Sequence, residues 1–125
     1  MEYVIIAIKA IIFLSIINVW FFRFNKGTSW RGGKASNMKE EFAAYGLSTS
    51  VMYAVGALKV LSATLLAASI WIPILTLPAA IVMALLMLGA IGMHLKIKDP
   101  MKRSFPAFSF LVLSLVLIAF DQGWL

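Results

Sequence analysis

Four long apolar runs dominate this chain: Tyr3–Phe24, Ser50–Ile70, Ile74–Met93 and Phe105–Phe120, the last extendable to Trp124. Each is about 16–22 residues, close to the ~20 that a helix needs to cross a ~30 Å hydrocarbon layer. Barrel strands would show short alternating segments instead, so only helices fit. Of 125 residues, 62% are hydrophobic and 13% charged, against about 45–50% and 25% in globular domains. A water-soluble or disordered chain is thereby excluded. The first run lacks a basic leader and a small-residue cleavage site and is too long for a signal sequence, so it reads as a retained helix. The expectation is an all-α, four-helix transmembrane bundle forming one domain over 1–125.

Charge is confined to a few places. Arg23, Lys26, Arg31, Lys34 and Lys39 lie in the first loop, with Glu40 and Glu41; Lys96, Lys98, Lys102 and Arg103 lie around the third, with Asp99. The net charge of +6 could suggest nucleic acid, but basic residues that flank apolar runs are topology signals facing anionic lipid. No nucleic-acid partner is expected. Trp71–Ile72–Pro73, between the second and third runs, carries no charge. The positive-inside rule then puts both large loops in the cytoplasm and both termini outside. With no cysteine, disulfides, thiolate zinc and iron–sulfur clusters are excluded.

The first loop contains a helix signature. Asn37 and Glu40 have the spacing of an N-cap and its reciprocal partner, and Gly46 that of a C-terminal stop. Met38, Phe42 and Tyr45 recur at helical spacing opposite Lys39 and Glu40, which predicts a short amphipathic helix over 38–45 on the inner membrane surface. Ser48 and Thr49 can cap the second span, and Asp99–Pro100 marks a turn. Gly56 and Ala63, with Ala80, Ala84 and Gly89, are the expected small-residue packing positions. The Ala80/Ala84 pair can serve packing within the bundle or the seam of a homo-oligomer, and the first is expected.

Lys59 constrains function most. Counting ~1.5 Å per residue from Ser50 places it about 13 Å into the hydrocarbon, near the midplane. A lysine there costs at least ~2.5–3.5 kcal/mol, and its stem is too short to reach water. Gly56, Ser62 and Ala63 share its face, so the side chain is expected to point into the bundle, where it either sits deprotonated or finds a partner. No span offers a carboxylate at that depth; Asn18, Tyr53, Ser109 and Ser114 are the hydrogen-bonding candidates. Three readings stay open: a lysine that locks the helices, a pocket for an anion, a carbonyl or a quinone-like head group, or a contact with another subunit. Lys9 is expected to snorkel outward toward Glu2. His94, the sole histidine, is placed with Trp30, Arg31, Glu40 and Glu41 at the inner interface. A metal site would need further converging ligands, and none is expected.

Two other functions are excluded. The segment Gly27-Thr-Ser-Trp-Arg-Gly-Gly-Lys34 lacks phosphate-loop spacing and a preceding strand; its glycines are expected to turn Trp30 and Arg31 back to the membrane surface. A small cation exporter requires an embedded carboxylate, and a central lysine would repel its substrate.

The run Val55-Gly-Ala-Leu-Lys-Val60, then Leu65-Leu66, Trp71-Ile-Pro73, Leu77-Pro-Ala-Ala80, Leu86-Met-Leu-Gly-Ala90, Met93-His94 and Lys98-Asp-Pro100 resembles the DoxX-like family of small bacterial four-helix membrane proteins. Gly32-Gly33, Glu40-Glu41-Phe42 and Tyr45-Gly46-Leu47 extend the resemblance over about residues 1–120. It implies a protein of the bacterial cytoplasmic membrane, acting as a non-catalytic accessory subunit of a membrane-associated, quinone-linked redox complex. A protein partner would dock at the basic loops. The alternative reading is a binder of a small hydrophobic ligand, a quinone or a lipid, with its polar end at Lys59 and Asn18.

Overall fold

The computed structural model describes all residues, Met1–Leu125, and is all-helical. Helix α1 spans Glu2–Ile17 and continues into a single wide turn over Asn18–Phe22; α2 is Met38–Ala44, α3 Thr49–Ala68, α4 Thr76–Lys96 and α5 Phe105–Asp121. The four long helices form an antiparallel bundle. The loops on either side of α2 and the α4–α5 connection lie at one end, here called the basic end. The termini and the α3–α4 turn lie at the other.

Local signals explain the boundaries. The Asn37 side chain accepts the Glu40 N–H at 2.8 Å, and Gly46, at φ +79°, ends α2. Its N–H reaches Ala43 O at 3.0 Å while the Leu47 N–H reaches Phe42 O at 2.9 Å, the paired bonds of a Schellman stop. The Glu40 carboxylate does not return to Asn37 N–H as the spacing suggested; it accepts from the Ser36 N–H and hydroxyl, at 3.0 and 2.7 Å. The Ser48 hydroxyl accepts the Val51 N–H at the start of α3. Pro73, Pro78 and Pro106 sit in or just before first turns, where a missing N–H removes no helical bond.

Only 28 of 125 residues are buried, so most of the apolar surface faces outward and needs a lipid surrounding. Ile6, Ile11, Leu14, Leu58, Leu61, Leu85, Leu88 and Leu115 form part of that outer belt. Inside, Ile5, Ile8, Ile12 and Ile16 face Met52, Leu66, Met83 and Leu117. Ala63, Ala80 and Ala84 are buried and let the helix backbones approach. Gly89 departs from expectation: it is exposed, and a Cβ there would meet nothing. It belongs to an open wall, not a packing seam.

Lys9 also departs from expectation. Its side chain is buried and turned inward, where the ammonium donates to Thr76 Oγ1 at 3.0 Å and to the Ser69 carbonyl at 3.4 Å. Ser69 ends α3 and Thr76 begins α4, so one side chain from α1 fastens the turn between them. Satisfying the amine within the chain competes better than stretching toward Glu2, because those two acceptors would otherwise lie buried and unmade. Lys9→Ala should therefore lower the unfolding free energy in detergent by about 1–3 kcal/mol. Thr76→Val should add little on that background, since both changes break one interaction. Additive losses would show that the bond contributes nothing.

Candidate functional site

Near the basic end the bundle does not close. Helix α1 packs on α3, α3 on α4, and α4 most extensively on α5, whereas α1 and α5 barely meet. The resulting cavity has a volume of about 690 Å³, within the range of small-molecule sites. All four long helices contribute to its wall, with the first loop and α2 above it.

The wide turn at Asn18–Phe22 shapes one side. Its bonds skip an extra residue, the Arg23 N–H reaching Asn18 O at 2.9 Å, and such turns re-aim side chains locally. Trp20 is buried here and lies against Gly56 of α3, where a Cβ would overlap the indole ring. The Lys59 ammonium stands 5.8 Å from the Trp20 ring centroid, a cation–π distance. Lys59 lies in mid-α3 and faces the cavity. It makes no hydrogen bond or ion pair with the chain.

Of the partners expected for Lys59, only Asn18 shares its cavity. Tyr53 is 55% exposed and stacks on Phe24 at 6.5 Å on the outer side. The Ser62 hydroxyl donates to the Leu58 carbonyl and that of Ser109 to the Phe105 carbonyl. Ser114 is buried with its oxygen unpartnered, away from the cavity wall. Ser62 and Ser109 bond to the preceding turn of their own helices and Ser114 lies off the cavity wall, so the lysine-centred serine network does not form.

The residues expected at the interface do more than lie there. Arg31 is 5% exposed, folded inward instead of resting on the membrane surface. It donates to the Lys26 carbonyl at 2.9 Å and to Glu41 Oε2 at 3.0 Å, and also holds the Arg23 carbonyl. These bonds wrap the first loop around one guanidinium. Glu41 Oε1 accepts the Tyr45 hydroxyl at 2.8 Å, and that hydroxyl lies 3.4 Å from His94 Nε2. His94 Nδ1 meets Asp99 Oδ2 at 2.7 Å; Asp99 Oδ1 accepts from Arg103 and from the Gly33 N–H, both at 3.1 Å. Arg103 returns to the Gly33 carbonyl. One polar chain thus runs from the first loop through α2 and α4 to the start of α5, capping the cavity.

Glu41, Tyr45, His94, Arg31 and Arg103 all line the cavity, as does Trp30, whose ring sits 6.2 Å from that of Phe105. Glu40 stays outside it, on the exposed start of α2. Helix α2 lays Phe42 against Trp20 and Tyr45 against His94; its apolar face covers the bundle end, not the lipid. Burial pushes the Tyr45 hydroxyl well above its usual value, and the Glu41 charge adds to this. For Asp99, burial pushes the carboxyl up, but the hydrogen bonds from His94 and Gly33 and the Arg103 charge outweigh it and hold the group below the usual carboxylate range. No three His, Asp or Glu side chains converge as metal ligands would.

The matched family model, that of the DoxX-like family, covers residues 14–118. The chain belongs to the DoxX-like family. Both the cavity and its cap fall within the matched span. No curated protein and no solved structure matches the chain. With four long apolar helices, this DoxX-like chain is a membrane protein.

In this DoxX-like protein Tyr45, Asp99 and Arg103 act as one unit that the sequence alone barely signals. The one local signal is Arg103 four residues after Asp99, across a connection that is not α-helical. Because the folded chain binds the Asp99 proton less readily than the unfolded one, the cap's contribution is present above the usual carboxylate range, near pH ~4. It is lost as the pH falls through the depressed value. Asp99→Asn should lower the thermal midpoint at pH 7, and its gap to the native chain should narrow on acidification. A constant gap from neutral to strongly acidic pH would show that the carboxylate charge is irrelevant.

Proposed function

We propose that this DoxX-like protein binds a small hydrophobic molecule, a quinone or a lipid, whose polar head sits against Lys59 and Asn18. The observation that carries this reading is the Lys59 ammonium, which faces a large, mostly apolar cavity and has no acceptor in the chain. A charged group at this depth costs several kcal/mol unless something meets it. The open α1–α5 seam supports entry from the bilayer. Trp20, Trp30, Phe42 and Phe110 offer the tail an aromatic wall.

The test is native mass spectrometry of the protein gently extracted from membranes. The native chain should carry a small apolar adduct, and Lys59→Met should lose it while folding normally, with a thermal midpoint equal or higher. Absence of any adduct from the native chain, or its full retention by the variant, removes this reading.

A second reading is favoured by the surface of the basic end. Lys26, Lys34, Lys39 and Lys98 are exposed and engage no carboxylate. They offer anionic lipid or an acidic protein face a docking site, as an accessory subunit of a membrane complex would need. Both readings place the chain in the bacterial cytoplasmic membrane with the basic end in the cytoplasm. All Lys and Arg except Lys9 and Lys59 gather at that end, which supports the orientation. An alkaline phosphatase fused after Leu125 should be active and a fluorescent protein there dark; the reverse pattern would invert the topology.

A further inference from the structure

Resting on the binding reading, we infer that the ligand head is an anion, a carboxylate or phosphate on an apolar tail, rather than a neutral carbonyl. The charged side chains in the cavity wall are Arg23, Arg31, Lys59, Arg103 and Glu41. Their engagement is unequal. Both Glu41 oxygens are taken, one by Arg31 and one by the Tyr45 hydroxyl. Arg31 is further occupied by loop carbonyls, and Arg103 by Asp99 and the Gly33 carbonyl. The Lys59 and Arg23 side chains engage no acceptor. The wall therefore presents two unengaged basic groups and no unengaged acidic one.

The two basic groups lie at different depths in one wall. Arg23 is exposed just beyond the wide turn, at the cavity rim, and Lys59 lies deeper, over Trp20. Rim and interior of one sign draw an anion inward and reject a cation. A carbonyl head could accept one hydrogen bond from Lys59 but would leave its charge unmatched in a medium of low dielectric. A carboxylate or phosphate supplies both the acceptor and the charge, and such charge-assisted bonds are the stronger kind. The two sources of that head are a free long-chain acid and an anionic membrane lipid.

Trp20 reports on this site directly. With Trp71 and Trp124, which lie outside the cavity, changed to Phe, the emission of Trp20 and Trp30 can be followed in phosphatidylcholine nanodiscs as heavy-atom or quinone quenchers are added. The probes are bromostearic acid, its methyl ester and a neutral decyl benzoquinone. The acid should quench at a concentration at least about tenfold lower than the ester or the quinone. Lys59→Met should erase about tenfold of that preference and leave the ester unmoved, while Lys59→Arg keeps it. Should Lys59→Met fail to fold, the acid-to-ester ratio of the native residue still decides. Discs of brominated phosphatidylglycerol separate the sources: Lys59-dependent quenching there assigns the anion to membrane lipid, and its restriction to the acid assigns it to a free amphiphile. Quenching by quinone or ester as strong as by the acid overturns the anion while the binding reading stands. Quenching by the acid that ignores Lys59 overturns the assignment to this cavity. If no probe quenches, both the inference and the reading beneath it fall.

Discussion

Hydrocarbon offers a polar group nothing, so every donor and acceptor below the head groups must be met from within. This bundle obeys that constraint almost everywhere. The hydroxyls of Ser62, Thr64, Ser69 and Ser109 turn onto carbonyls of their own helices, and Lys9 finds Thr76 and the Ser69 carbonyl across the bundle. Lys59 is the exception among the charged groups. The two lysines are chemically identical and both embedded, yet one fastens helices together and the other faces a space. A bundle able to satisfy one ammonium so completely gives meaning to leaving the second unmet.

The cap at the basic end answers the same constraint differently. Four residues of opposite and neutral character, Glu41, Tyr45, His94 and Asp99, would each be costly to bury singly. Linked in sequence, with Arg31 and Arg103 at the two ends, they satisfy one another and tie three separate stretches of chain together. Gly32 makes the arrangement sterically feasible, because a Cβ there would overlap the Tyr45 ring. Gly33, at φ +58°, turns its N–H toward Asp99. The cap and the cavity are therefore one construction: the polar chain that closes the bundle end also sets which charges the cavity can present.

Much of this was legible in the amino-acid order and some was not, for definable reasons. The four spans, the α2 helix with its Asn37 and Gly46 ends, and an inward-facing Lys59 follow from periodicity, turn chemistry and the cost of a charge in oil. These are local or one-dimensional properties. What depends on a third element escaped. Rise per residue matches Tyr53, Ser109 and Ser114 to the depth of Lys59, but depth does not fix azimuth: Tyr53 faces outward, Ser109 bonds within its own helix and Ser114 is buried away from the cavity. The charge nearest Lys9 in sequence is Glu2, whereas its acceptors lie 60 and 67 positions away. Tyr45 was read as part of an apolar stripe, which it is; its hydroxyl gains a role only once α2 folds over α4.

The wide turn at Asn18–Phe22 connects these levels. No proline or glycine lies within it, so nothing in the local composition demands it. Its consequence is to place Trp20 toward α3, where Gly56 leaves room for the ring. Trp20 packs on α3 at Gly56, and the seam between α1 and α5 is the least packed between neighbouring helices of the bundle. Segments with few buried contacts open at the lowest free-energy cost. That seam is the side through which a molecule from the bilayer would reach the Lys59 ammonium and the indole that flanks it. A regular helical turn in place of the wide one would rotate Trp20 off Gly56 and remove the ring from beneath the ammonium.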